Sequence, residues 1–209
     1  MKIKTALPKW LLLRLFKVTR VRSEQERRMF HDIWTKIWVD EEYAGVAEPL
    51  HKIEFHYTLF DRHSVDLLLW FLGVPIGTLR IIKRSSLGLP TTNDLEIEER
   101  WQKELEERQG VVEFTLLTLK SEWRGLKHAP SFILMREAYR LVRGRVEGIV
   151  VAADKRLFGL FQKIKMPFVQ IGPTQFYEGS DVIPAFLPIP EAEEKFRAAN
   201  TELAEFFLS

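Results

Sequence analysis

Glu113 stands in a run otherwise made of Val111, Val112, Phe114, Leu116, Leu117 and Leu119. A carboxylate in such a strand loses hydration, which raises its pKa and makes it a useful proton acceptor near neutral pH. The other use of a lone strand glutamate is a salt bridge or an edge position. Arg80, in Gly77-Thr78-Leu79-Arg80, could clamp a substrate carboxylate through a bidentate contact, pair with Glu113 inside a cleft, or sit solvated at a strand end. Arg124-Gly125 falls in a turn before a helix, where backbone N–H groups suit a phosphate. Arg136, Arg140 and Arg143 recur at helical spacing on one face. That row fits either an acidic protein partner or a solvated helix face.

The elements that must position these residues follow from periodicity. Ser23 with Glu26 forms a capping box, and Phe30, Ile33, Trp34, Ile37 and Trp38 then recur at three-and-four spacing, predicting a helix of about five turns. Val65 to Leu72 and Ile76 to Lys83, joined by Gly73-Val74-Pro75, predict an antiparallel hairpin carrying Arg80. Asn93 or Asp94 is the expected cap of a short charged helix ended by Gly110. The strand Val111 to Leu119 then precedes a helix opened by Pro130, whose expected inward residues are Phe132, Ile133, Leu141 and Val142. The apolar strand Gly148 to Ala153 and a helix from Asp154 to Ile164 complete a β-α-β-α order, so the two strands should be parallel. Phe168 to Ile171 and Val182 to Leu187 read as short strands, and Pro190 opens a last helix with Phe196, Leu203, Phe206 and Phe207 inward. The class is α/β, with a mixed central sheet and helices on both faces.

Several chemistries are excluded or unsupported. The absence of cysteine removes disulfides, zinc–thiolate sites and a covalent acyl-cysteine intermediate, and is compatible with a reducing compartment. His31, His51, His56, His63 and His128 lack metal-ligand spacing, so no metal site is expected. There is no Ser-His-Asp pattern and no full phosphate-binding loop. The 31 basic and 29 acidic residues nearly cancel to +2, so no bulk charge calls for nucleic acid. Residues 1–22 carry seven basic residues and no acid beside Trp10, Leu11, Leu12, Leu13, Leu15 and Phe16. This basic amphipathic segment suits a helix docked on the protein's own core, a carrier protein or peripheral membrane contact. Residues 23–209, without a long linker, are expected to form one domain. No run approaches the roughly 18 apolar residues of a membrane span, and the N-terminus lacks a leader pattern, so the expected location is cytoplasmic.

Four ordered segments, covering roughly residues 30 to 188, resemble GNAT-fold acyltransferases, and in particular the N-acyl amino acid synthases and acyl-homoserine-lactone synthases. Lys36-Ile37-Trp38-Val39-Asp40-Glu41-Glu42 is similar to their first-helix segment, with Trp34 where an arginine is usual. Asp61, Asp66-Leu67-Leu68-Leu69 and Gly77-Thr78-Leu79-Arg80-Ile81-Ile82 resemble their hairpin. Val112 to Leu116 and Glu122-Trp123-Arg124-Gly125 resemble the strand and turn that hold a pantetheine arm. Homoserine-lactone synthases carry an arginine where this strand has Leu116, and ordinary GNAT enzymes carry a tyrosine where Asp154 to Met166 has Phe161. Ile171-Gly172-Pro173 and Tyr177-Glu178-Gly179 look most like the carrier-dependent synthases.

The resemblance implies an N-acyltransferase with no bound cofactor, taking a medium or long acyl chain from acyl carrier protein, or from coenzyme A, to the amine of an amino acid or related compound. It implies Glu113 as catalytic base, and Arg80, Trp34 and Trp38 as substrate-binding residues. Leu117, Leu119, Arg124 and Gly125 would line the donor arm, and Arg136, Arg140 and Arg143 would dock the carrier. Two other outcomes are acyl-homoserine-lactone synthesis from S-adenosylmethionine and a non-catalytic acyl-carrier or lipid-binding module.

Overall fold

Strand and helix periodicities resolve into one twisted sheet covered on both faces. A computed structural model of the protein describes residues 15–40, 49–124, 128–199 and 201–208. The chain order is β1 (Phe16–Arg20), α1 (Glu24–Asp40), α2 (Leu50–Thr58), β2 (Ser64–Phe71), β3 (Val74–Lys83), α3 (Pro90–Asp94), α4 (Glu99–Glu107) and β4 (Val111–Leu119). It continues with α5 (Ala129–Val142), β5 (Gly148–Asp154), α6 (Lys155–Lys163), β6 (Val169–Gln170), β7 (Gln175–Tyr177), β8 (Ser180–Pro188), α7 (Ile189–Ala199) and α8 (Thr201–Leu208). The sheet order is β1-β2-β3-β4-β5-β8-β6, with β7 also paired to β8. β4 and β5 are parallel, as the helix between them requires, and their neighbours in the sheet are antiparallel. Leu67, Leu68 and Leu69 are all buried in β2, because consecutive side chains point to opposite faces and both faces are covered. One face packs with α5 and α6 through Leu67, Leu79, Ile133, Leu134, Tyr139 and Phe161. The other packs with α1, α2 and α4 through Phe30, Trp34, Tyr57, Leu68, Leu105 and Val111.

Several elements differ from the expectation. The helical reading of residues 1–22 lies, up to residue 14, outside the described residues. From Phe16 the chain is instead an edge strand, where Phe16 opposite Phe71 buries an aromatic pair. Asn93 and Asp94 do not cap the charged helix. Pro90 opens the separate short helix α3, and α4 starts after Glu98. In α5, Phe132 and Leu141 are only partly buried, and the core face is formed by Ile133, Leu134, Met135, Ala138, Tyr139 and Val142. The C-terminal helix is two helices, with Phe207 buried and Phe206 partly so, while the side chains of Phe196 and Leu203 lie outside the described residues. The helix α2 and the strand β7, too short or too weakly periodic to stand out in the sequence, complete the face that carries the site.

Gly77 shows why the hairpin needs that residue type. A Cβ there would lie 2.6 Å from Leu119 Cδ2 and 2.7 Å from the Thr118 carbonyl oxygen. Replacing Gly77 by Ala should therefore push β3 off β4 and lower stability by about 1–3 kcal/mol in urea unfolding. An unchanged midpoint would show that the two strands have room to part.

Candidate active site

β4 carries the irregularity around which the site is built. Thr78 of β3 faces Thr118, but Arg80 faces Thr115, so Leu79 opposes both Leu116 and Leu117 in a β-bulge. Leu116 accordingly takes a left-handed φ of +49°, a cost the surrounding structure must offset. Thr78 helps to hold it, for its hydroxyl donates to the Leu116 carbonyl at 2.9 Å and also meets the Thr118 hydroxyl. The bulge changes the phase of the strand. Glu113, Thr115 and Leu116 lie on the α1–α2 side, and Leu117 and Leu119 pack on the α5 side. Beside the bulge the sheet opens. β4 and β5 pair only over Val111 to Glu113 against Gly148 to Val150, so the edge of β4 from Phe114 onward has no ladder partner in β5.

Glu113 is the last paired residue before this gap and is 2% exposed. Its Oε2 accepts the backbone N–H of Thr91, at the start of α3, at 2.9 Å. Burial pushes its carboxyl up to about 8, against the lowering by Thr91 and with further raising from Glu178 and Asp94. Glu178 comes from the two-residue turn between β7 and β8, and burial pushes it up to about 7 even though the Tyr57 hydroxyl donates to its Oε2 at 3.2 Å. The Tyr57 hydroxyl also lies 3.2 Å from the Thr115 Oγ1, and burial keeps it protonated. Asp94 lies at the surface, where partial desolvation would raise it, but His56 and Tyr177 hold it below the usual carboxylate range. Tyr177 donates to it at 2.8 Å, and His56 Nε2 lies 3.1 Å away, raising the imidazole in return. No group of three such side chains among the described residues could hold a metal ion.

Next to this cluster, α1, α2 and the β2–β3 hairpin enclose a cavity of roughly 300 Å³, walled by Phe30, Trp34, Tyr57 and Arg80, with Arg27 and His31 at its rim. Trp34 and Trp38 stand edge-on to one another and to Tyr57, so the aromatic group expected at the substrate is assembled, although Trp38 does not line the cavity. Arg80 is 7% exposed, and its guanidinium donates to both Asp66 oxygens at 2.7 and 2.9 Å and to the Tyr57 carbonyl at 3.0 Å, and it pairs with Asp61 at 3.0 Å. It makes no pair with Glu113 and ties α2 to the hairpin.

The residues expected at the donor arm are partly assembled. Leu119 is buried and Leu117 partly buried beneath α5, where Arg124 Nε donates to the Leu119 carbonyl at 3.1 Å. Gly125 lies outside the described residues. The arginine row on α5 is largely engaged by the chain's own acids. Arg136 bonds Glu137 at 2.8 Å and covers the Phe206 ring, and Arg143 bonds Glu193 and the Leu208 carbonyl at 2.7 Å. Arg140, half exposed, has a 3.4 Å contact with Glu137. Phe161 is buried and stacked on Phe168, so no hydroxyl stands at that place.

Tyr57, Thr91, Asp94, Thr115 and Glu178 were not singled out by chemistry in the sequence. Thr115 had a signal, since it is two residues from Glu113 and shares its strand face. Glu178 had another, in the Glu178-Gly179 turn.

An open gap between two parallel strands, a bulge at its mouth and a mixed sheet define a known architecture. The fold is that of the GNAT N-acyltransferases. FeeM, an N-acyl amino acid synthase from uncultured soil microbes, superposes with a TM-score of 0.66 at 18% identity, over 91% of this chain and 97% of its own. The acyl-homoserine-lactone synthase LasI gives 0.57 at 10% identity, over 88% and 95%. A putative N-acetyltransferase from Lactobacillus plantarum gives 0.56 at 12% identity, over 82% and 96%. No protein-family model matches the chain, and no curated protein matches it. Within the GNAT fold, the Gly-Thr-Leu-Arg segment has a structural use here: Gly77 lets β3 approach β4, Thr78 secures the bulge and Arg80 secures α2.

Proposed function

We propose that this chain is an N-acyltransferase that moves a medium or long acyl group from a carrier thioester to the amine of an amino acid or related compound. The observation that carries the reading is the gap beyond Glu113 and Val150, which has the unpaired edge of β4 on one side and a buried carboxyl at its closed end. A pantetheine arm can enter such a gap as an extended strand does, bonding to the free edge. Backbone N–H groups on that edge then stabilise the oxyanion as the amine attacks the thioester carbonyl. Glu113 accepts the amine's proton, directly or through water, and the C–S bond breaks to release the thiolate. The cavity walled by Phe30, Trp34 and Tyr57 takes the acceptor. Leu116 supports free amino acids over homoserine-lactone chemistry, because the bulge turns it into the α1–α2 core, an unsuitable place for an uncompensated guanidinium.

The test incubates the protein with dodecanoyl-acyl carrier protein or dodecanoyl-coenzyme A, an amino acid mixture and S-adenosylmethionine, and analyses the products by mass spectrometry. Acyl amino acids are expected; acyl-homoserine lactones would transfer the chain to the other synthesis. No product with either donor would leave an acyl-binding module.

For carrier docking, Arg140 has the most charge left to offer an acidic surface. Arg140→Glu should weaken use of the carrier thioester by about tenfold at low salt and reduce its salt dependence, with the coenzyme A thioester little affected. Equal losses with both donors would remove α5 from the docking surface.

A further inference from the structure

Glu178 occupies a costly place. It is the first central residue of the tight β7–β8 turn, with a φ of +47°, and Gly179 follows at +84°. Two-residue turns of this kind favour Asn, Asp or Gly at the first position, and a glutamate there is strained. The side chain is nevertheless turned inward, where it receives the Tyr57 hydroxyl at 3.2 Å and has no Lys or Arg partner among the described residues. A strained turn that also draws a carboxylate partly out of water is poor structural economy, and such sites are retained where they serve the chemistry. Tyr57 shows what is served. Its ring walls the cavity, and its hydroxyl reaches Thr115 on the opened part of β4.

We infer that Glu178 is a positioning residue for the acceptor: from the β7–β8 turn, its carboxylate fixes the Tyr57 hydroxyl at the boundary between the cavity and the open edge of β4. This inference rests on the acyltransferase reading, because that boundary is where the acceptor amine must meet the thioester. The ionised carboxylate takes the Tyr57 proton as a hydrogen bond and leaves the hydroxyl oxygen as an acceptor for the amine or Thr115. Protonated, Glu178 no longer imposes that direction. The groups facing it are His56 and Tyr57 of α2, Asp94 of α3, Tyr177 of β7 and, through space, Glu113 of β4.

Two experiments decide it. The first labels tyrosine at the ring carbon bearing oxygen and follows the Tyr57 signal, assigned by Tyr57→Phe, from pH 5 to 9. The signal should shift with a midpoint near 7, keep the shift in His56→Asn and lose it in Glu178→Gln. A shift that disappears with His56 instead would overturn the inference. The second measures steady-state kinetics with the acceptor found above. Glu178→Gln should raise the acceptor KM by about 10- to 100-fold, the size of a lost hydrogen bond to a charged group, with donor KM unchanged. Tyr57→Phe should do the same, and the double variant should be no worse than either single one. Glu178→Asn, which tolerates the turn, should lose affinity for the acceptor without melting lower. A lower melting temperature with an unchanged acceptor KM would make Glu178 a turn residue only. If the wild type turns over no acceptor, the acyltransferase reading fails, while the tyrosine titration still decides whether Glu178 directs Tyr57.

Discussion

Glu113→Gln should lower turnover by ~10²- to 10⁴-fold, the usual cost of a lost general base, while leaving a folded protein. Gln is nearly isosteric, and its carbonyl oxygen can still accept the Thr91 N–H. Two pH dependences separate the chemistry from the fold. Activity of the wild type should rise through about pH 8 as Glu113 ionises, and this limb should disappear in the variant. Stability should change in the opposite sense. The folded state holds the Glu113 proton up to about pH 8, whereas the unfolded chain releases it near 4.5. The folded state therefore binds more protons between those values, so the stabilisation is complete below 4.5 and is lost as pH rises toward 8. Gln carries no such proton, so the melting temperature of the variant should match or exceed that of the wild type at pH 9. Near wild-type turnover in a stable variant would eliminate the proposed base.

Removing Arg80 should give the largest loss of stability. Arg80→Met leaves Asp66 buried without its bidentate partner and frees the Tyr57 carbonyl, which should cost about 3–5 kcal/mol. Typical domains have only about 5–15 kcal/mol in hand, so the variant should melt far earlier or fail to accumulate. The double variant Arg80→Met with Asp66→Leu replaces a charged pair by apolar groups and should recover more than half of the loss, as read by denaturant unfolding. If Arg80 instead anchors a substrate carboxylate, the single variant should keep its melting temperature and show only a raised acceptor KM. The coordination of the guanidinium by Asp66, Asp61 and Tyr57 favours the first outcome.

Much of the scaffold was legible from periodicity, because burying one stripe of a helix or both faces of a strand leaves a pattern along a few residues. The capping box at Ser23 is realised, with Glu26 returning to the Ser23 N–H. The hairpin, β4, α5 and β5 lie close to the expected bounds. Elements decided by distant pairing were less legible. β1 is a strand because β2 offers it an edge, and β7 exists through three residue pairs with β8.

The sequence by itself singled out Glu113, since a carboxylate in an apolar strand is a local contradiction that needs no partner to be noticed. Its environment was set only by the tertiary structure, which brings Thr91, Asp94, Tyr57 and Glu178 to it from α2, α3 and the β7–β8 turn. The same holds for the arginines. Helical spacing placed Arg136, Arg140 and Arg143 on one face, but Glu193 lies 50 residues beyond Arg143 and neutralises it only because α7 packs there. Arg80 likewise read as an available cation until the fold supplied Asp66 across the hairpin and the Tyr57 carbonyl from α2. Charge and hydrogen-bonding capacity are written in a side chain, but whether they remain free depends on neighbours that spacing along the chain does not encode.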